Sequence, residues 1–307
     1  MQQVEIKTET LSFENIELSH EALLSAYLKA QKYRICDFSF VNMYAWRTIY
    51  GTSFAIEDGM LFIRVGAQPK DYAFLPPIGD GDFKKAVMRL VDYAKELDIK
   101  LKLVSVPKEV RESLETLMGT AFEFTTNRDG YDYLYEREKL STYSGKKLHG
   151  KKNHINKFQA TYNWRVEEIT RDNIEDCVII QTQWCAENEC DGADGSLSDE
   201  TCAVRTVLSA YFDLPVRGLI LYVDDEPAAY SIGSEITEDT FDVHIEKALT
   251  KYDGVYSMIC MQMAKICCEG FTYMNREEDL GDEGLRKSKL SYRPVEILSK
   301  DIAVYKL

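Results

Sequence analysis

At 307 residues with a formal net charge of −14, the chain is long enough for two domains, and its acidity argues against a protein that coats nucleic acid. Hydrophobic residues make up 45% and charged residues 29%, and 19 Tyr with 13 Phe exclude general disorder, so the chain is expected to fold throughout. No apolar run approaches the roughly 18 residues of a membrane span, and MQQVEIKTETLSFENIE lacks the basic start and apolar stretch of an export signal, so a cytoplasmic location is expected.

In the first half, Phe54 to Ile56 and Met60 to Val65 flank Glu57-Asp58-Gly59 as a hairpin. Tyr72 to Leu75 reads as a strand, followed by the glycine loop Pro76-Pro77-Ile78-Gly79-Asp80-Gly81. An amphipathic helix with Phe83, Val87, Leu90, Val91, Ala94 and Leu97 on one face leads to the strand Lys100 to Val106. The two prolines stand where a phosphate site would need a basic loop, so none is expected there.

The charge is unevenly laid out. Lys139 to Val166 holds seven Lys or Arg, His149 and His154, and no Asp or Glu. Within it Leu148, Ile155, Phe158 and Tyr162 form one helical seam, while Lys147, Lys151 and His154 share another face; Lys152, four residues after Leu148, falls closer to the seam. Such a face would meet phosphates as point charges, the alternative being a solvated helix surface.

The second half continues with a strand at Trp164 to Ile169 and helices at Asp172 to Glu187 and Ser198 to Leu214, with Asp172 and Ser198 as N-caps. Between the helices, residues 187–195 have some flavour of a calcium loop without its ligand spacing, and read as a lid or exposed loop. Arg217 to Val223 and Ala228 to Glu235 form a hairpin around Asp224 to Pro227, and Thr240 to Leu249 follows as a strand. On it Asp242, His244 and Glu246 alternate with Phe241, Val243 and Ile245, which places three ionisable side chains on one sheet face. The loop Lys251 to Gly254 enters a helix at Val255 to Glu269, whose N-terminus favours an anion; a plain turn is the alternative. A strand at Phe271 to Met274 then delivers Asn275, Arg276, Glu277, Glu278 and Asp279, and Leu285 to Leu290 reads as a short helix carrying Arg286, Lys287 and Lys289. Pro294 to Leu298 and Ile302 to Tyr305 look like a closing pair of strands.

The eight cysteines show no CxxC pair and no histidines at metal-ligand spacing, so no zinc site and no other metal is expected. Cys260, Cys267 and Cys268 read as small buried hydrophobes.

The two halves share an order of elements, the turn at Asp58 recurring at Asp224 and Gly81 at Gly254, which reads as two copies of one α/β unit. The border is expected near Glu138 to Tyr143, giving domains 1–138 and 139–307. Hairpin, strand, loop, helix, strand is the order of the acetyltransferase-like (GNAT) fold. Gly145-Lys146-Lys147 with Lys151 to Phe158, the loop Lys251 to Tyr256 and the block Asn275 to Pro294 resemble the phosphatidylglycerol lysyltransferase C-terminal domain family, a tandem GNAT arrangement shared with the Fem-type peptidyltransferases. The match covers much of the second half and the outline of the first.

That resemblance implies an α+β fold of two GNAT domains (acyl-CoA N-acyltransferase-like), with mixed, mostly antiparallel sheets flanked by helices. One strand would splay from its neighbour to admit a thioester or aminoacyl arm. The activity implied is transfer of an acyl or aminoacyl group from acyl-CoA or aminoacyl-tRNA to an amine or hydroxyl, with the first domain non-catalytic. Because Gly254 stands alone where acyl-CoA users carry a glycine run, the aminoacyl-tRNA branch fits better, with a tRNA acceptor stem as partner; a lipid acceptor is not implied. His244 is the preferred base and Glu246 its alternate, while Lys289 would hold the oxyanion or a donor phosphate. Lys147, Lys151, Lys152, Lys251, Gly254 and Tyr256 would contact the donor, and Asn275, Arg276, Glu277, Asp279 and Tyr292 the substrate. Two alternatives remain: a decayed transferase that binds a small anionic metabolite, and an interaction scaffold built on the aromatic-rich first half.

Overall fold

Burial along the consecutive strands Val216–Val223, Glu226–Thr237 and Thr240–Ala248 is nearly continuous, as expected for strands covered on both faces, and they form the centre of a seven-stranded sheet. The computed structural model describes residues 10–188, 190 and 196–306; most of the expected lid at 187–195 lies outside the described residues. A second, eight-stranded sheet is built mainly from the first half. No helix of the described chain is long and apolar enough to cross a membrane.

The two sheets run in the same order. In the first it is Glu14–Asn15, Ser53–Glu57, Met60–Val65, Ala73–Phe74, Lys102–Val106, Asp301–Tyr305 and Phe122–Thr126, with Ile78–Gly79 beside Met60–Val65. In the second it is Trp164–Glu168, Val216–Val223, Glu226–Thr237, Thr240–Ala248, Tyr273–Asn275, Asp132–Glu136 and Glu296–Leu298. Helices Phe83–Glu96 and Val255–Lys265 occupy matching places, so the duplicated order read from the turns holds in space, as two mixed and mostly antiparallel sheets with flanking helices.

Each sheet also contains the other half's last strand. Asp132–Glu136 lies antiparallel between Tyr273–Asn275 and Glu296–Leu298. Asp301–Tyr305 lies antiparallel between Lys102–Val106 and Phe122–Thr126. The expected closing pair of strands is therefore corrected: its members belong to different sheets. The border at 138/139 is crossed in both directions.

The halves share apolar packing. One buried cluster joins Phe40, Val41 and Tyr44 of helix Phe40–Tyr50 to Ile180, Val207, Tyr222, Ile232 and Ile245 of the second half. On the other face of the second sheet, Phe241 and Val243 pack with Met258, Cys260 and Cys268 of helix Val255–Lys265 and its C-terminal turn, and with Ile155 and Phe158 of helix His149–Thr161. All eight cysteines are free, and Cys260, Cys267 and Cys268 are buried as expected. Gly254, with φ of +88°, caps the helix that follows, and a Cβ there would stand 3.0 Å from the His154 carbonyl oxygen. Glycine thus supplies both the left-handed turn and the close approach of two helices.

Candidate active site

Parallel pairing of Thr240–Ala248 with Tyr273–Asn275 is limited to Thr240 with Tyr273, Phe241 with Met274 and Asp242 with Asn275. Beyond these the longer strand continues, the other turns away as a loop, and a gap in the strand pairing begins. Two side-chain pairs span it. His244 Nδ1 lies 3.1 Å from Glu277 Oε1, and Arg276 donates from Nη2 to Glu246 Oε1 at 2.6 Å.

The two pairs stand on opposite faces, because the strand is bulged. Ile232 pairs with Ile245 but Gly233 with Val243, which leaves His244 without a backbone partner. The alternation expected for Asp242, His244 and Glu246 is corrected accordingly: Asp242 and His244 face helix Phe40–Tyr50, and the extra residue turns Glu246 to the face carrying Val243 and Cys260. Gly233 makes this possible, since a Cβ there would meet the Asp242 carbonyl oxygen at 2.2 Å.

On the Glu246 face, the Arg276 guanidinium lies 4.5 Å from the Tyr292 ring centroid, and Lys151 Nζ stands 3.6 Å from the same centroid. Burial, with the Arg276 charge adding to it, pushes Lys151 down to about 8. Arg276 Nη1, Glu246 Oε2 and the hydroxyl of Ser231, the cross-strand neighbour of Glu246, are buried without a hydrogen-bond partner among the described residues. Buried polar atoms are satisfied in nearly all native sites, so a donor and an acceptor left over at a strand splay point to a polar ligand.

On the other face His244 is engaged at both ring nitrogens, its Nε2 lying 2.8 Å from Ser234 Oγ. Asn42 donates to Glu277 Oε1 at 3.3 Å. Below this pair sits a group that the sequence analysis did not single out. Lys300 Nζ lies 2.7 Å from both Asp37 Oδ2 and Asp132 Oδ1, 3.4 Å from Glu278 Oε2 and 3.2 Å from Cys36 Sγ. Burial alone would lower the Lys300 pKa, but Asp132 and Asp37 outweigh it and hold it well above its usual value. Burial pushes Asp132 up to about 7 even against Lys300. No local spacing could have revealed this cluster, whose members lie in four separate segments.

Several expected site residues build the loop instead. Lys289 donates to the carbonyl oxygens of Arg276, Glu277 and Glu278, so its three hydrogens are committed and it is not free to meet an oxyanion. Asn275 donates to the Arg34 carbonyl at 2.7 Å and to Asp132 at 2.8 Å, and its own oxygen accepts from the Glu277 amide. Asp279 is fully buried and accepts from Arg286 at 2.9 and 2.6 Å, from Tyr133 and from the Gly281 amide. These contacts hold a backbone in which Glu277, Leu280 and Gly281 all have positive φ. Among the expected donor contacts, Lys147 and Lys152 are exposed, so the half-buried position belongs to Lys151 rather than Lys152. Lys251 pairs with Glu226 at 3.6 Å, and Tyr256 accepts from Trp184 Nε1 at 2.9 Å. Lys151, Glu246, Arg276 and Tyr292 converge; Lys147, Lys152 and Lys251 do not join them. A larger cavity of about 960 Å³, bordered by Gln181, Cys185 and Arg205, lies away from the gap.

The chain matches the family described as "Phosphatidylglycerol lysyltransferase, C-terminal" over residues 29–303. A crystal structure of a conserved protein of unknown function from Bacteroides thetaiotaomicron is 38% identical, with a TM-score of 0.92 covering 97% of this chain and all of that one. The C-terminal domain of a putative lysylphosphatidylglycerol synthetase from Agrobacterium fabrum is 12% identical, with a TM-score of 0.68 over 94% of this chain and 92% of that one. FemX is 10% identical, with a TM-score of 0.58 over 97% and 98%; these last two likenesses concern the fold alone. An uncharacterized protein of Mycoplasmoides gallisepticum is 25% identical over 171 residues, a match that spans 55% of this chain and 54% of that relative's length.

Proposed function

The chain belongs to the phosphatidylglycerol lysyltransferase C-terminal family, and from that premise we propose that it transfers an aminoacyl group from aminoacyl-tRNA to an amine or hydroxyl acceptor in the gap between Thr240–Ala248 and Tyr273–Asn275. Family and fold support a GNAT-type acyl or aminoacyl transferase. One observation carries the finer reading: Arg276 Nη1 and Glu246 Oε2, a buried donor and a buried acceptor, both lack partners where strand pairing stops.

The chemistry follows from their roles. The acceptor's nitrogen or oxygen attacks the ester carbonyl, and the oxygen of the tetrahedral intermediate takes on negative charge. Arg276, with Lys151 also against the Tyr292 ring, supplies positive charge to it. Glu246 accepts the proton that the acceptor loses, and the ester oxygen leaves with a proton as the ribose hydroxyl. We place the preference for a base on Glu246 rather than His244, whose ring nitrogens are both engaged. The choice of a tRNA ester over a CoA thioester rests on Gly254: a neighbouring helix carbonyl crowds the helix entrance that would hold a CoA pyrophosphate. Exposed Lys146, Lys147 and Lys152 on the adjoining segment suit a nucleic-acid backbone, whereas Lys157 is paired with Asp253 at 2.6 Å. No observation favours the metabolite-binding or scaffold alternatives.

The test is single-turnover transfer from a set of charged tRNAs and acyl-CoAs to amine, hydroxyl and phosphatidylglycerol acceptors, with Glu246→Gln and Arg276→Met alongside the wild type. We expect turnover with a charged tRNA and a loss of about 10²–10⁴-fold in Glu246→Gln. A folded wild type inert toward every donor, or both variants at wild-type rate, refutes the assignment.

A further inference from the structure

Two sets of potential ligand side chains adjoin beneath the gap, and they are balanced differently. In the first, Asp37, Asp132 and Glu278 surround an ammonium, Lys300. In the second, Asp242, His244 and Glu277 each bring one ligating atom within 4.8 Å of the others, with His244 Nδ1 3.1 Å from Glu277 and 3.5 Å from Asp242 Oδ2. No cationic side chain stands at their centre. Lys289 is committed to three carbonyls, Arg276 turns to the opposite face, and Lys300 is enclosed by the first set. Asp242 is fully buried, yet both its oxygens lack a hydrogen-bond partner among the described residues. Across the two sets five carboxylates face two ammoniums and one imidazole. A fully buried carboxyl group with no hydrogen bond among the described residues, beside an imidazole at 3.5 Å, is what a cation site looks like from the protein side.

We propose that Asp242, His244 and Glu277 bind a divalent first-row transition cation, zinc or manganese. One imidazole nitrogen with two carboxylate oxygens suits these ions better than calcium, which takes six to eight oxygens. The surroundings match the outer support of such sites: Ser234 Oγ fixes His244 through Nε2 at 2.8 Å, and Asn42 steadies Glu277 at 3.3 Å. A pocket of about 320 Å³ between the halves has Ser234, the partner of His244, in its wall together with Phe241, Lys29 and Arg217. Asp242 and His244, two residues apart on the strand, face the same side, and the bulge turns Glu246 away from them. This inference stands apart from the transferase reading, since its readout is occupancy rather than turnover.

The experiment uses the full chain, stripped with chelator and titrated with Mn²⁺ by calorimetry and electron paramagnetic resonance, then with Zn²⁺. Manganese is the deciding ion, because eight free thiols give zinc other places to bind. One Mn²⁺ per chain is expected, weakened at least about tenfold in Asp242→Asn and in His244→Gln, and unchanged in Cys36→Ser. Should either variant misfold, the Mn²⁺-dependent rise in Tm of the wild type, lost in Glu277→Gln, carries the same decision. Absence of stoichiometric Mn²⁺ binding by the folded wild type overturns the proposal, as does binding that survives Asp242→Asn and His244→Gln or is abolished by Cys36→Ser.

Discussion

Replacing Lys300 by Met tests the electrostatics beneath the gap most directly. The methionine keeps the length of the apolar stem and removes the one charge that stands among Asp37, Asp132, Glu278 and the Cys36 thiol. Breaking a buried ion pair by deleting one partner costs about 3–5 kcal/mol, because the remaining charge stays out of water. Here three carboxylates lose a shared cation, so the upper half of that range is expected at pH 8. At about 2–4 °C per kcal/mol the corresponding fall in Tm is roughly 8–20 °C. Asp132 titrates at about 7 with Lys300 in place, well above the ordinary 3.8, and climbs further without it. A carboxyl whose folded pKa exceeds its unfolded one binds more protons when folded, so its contribution to stability grows as pH falls. The deficit of Lys300→Met relative to wild type therefore shrinks between pH 8 and pH 6. Urea denaturation of both proteins across that range measures it. A loss under about 1 kcal/mol at pH 8, or a deficit that widens toward acid, refutes the view that Lys300 neutralises this cluster.

Three further outcomes are expected. Lys151 releases its proton at about 8 when folded and 10.5 when unfolded, a penalty on the charged form that is relieved as pH rises through that window; wild type should gain stability relative to Lys151→Met between pH 8 and 10, and a flat difference would contradict the burial assigned to it. Gly233→Ala should cost about 1–3 kcal/mol, read by thermal denaturation, since the added carbon overlaps the Asp242 carbonyl; a neutral result would mean that the bulge at His244 is not held by this contact. Arg34 bonds Asp239 across the two halves and lies 4.5 Å from the Tyr273 ring centroid, with the guanidinium holding Asp239 at about 2. Arg34→Met should cost about 1 kcal/mol above pH 4 and progressively less as pH falls toward 2, and equal deficits at pH 6 and pH 3 would argue against the ion pair.

Much of the architecture was legible because it is local. The turn at Asp224-Asp225 fixes a hairpin and the seam Leu148, Ile155, Phe158 is buried, so periodicity and turn chemistry reached the duplicated order of elements. Arg276 and Tyr292 were expected at the substrate, Glu246 as the alternate base and Lys151 at the donor; that these four meet was not expected. Strict alternation put Asp242, His244 and Glu246 together, and one unpaired residue separated them. Nothing local distinguishes a bulged strand from a regular one when the cause, Gly233, sits on the neighbouring strand. Lys289 looked catalytic because a lysine in a polar block suggests charge for a ligand, yet its partners are backbone carbonyls, which leave no mark in composition. Short spacings carry no trace of the Asp242, His244 and Glu277 set proposed as a cation site, because it joins a strand to a loop more than thirty residues further on. Lys300 and Asp132 are 168 residues apart, and only the exchange of strands brings them within 2.7 Å.

That exchange sets a timetable for biosynthesis. The slot between Lys102–Val106 and Phe122–Thr126 is filled by residues 301–305, so two neighbouring edges of the N-terminal sheet stand bare while the intervening polypeptide is translated. At about 5–20 residues per second that wait lasts roughly 9–35 s, a long exposure for unpaired β-edges.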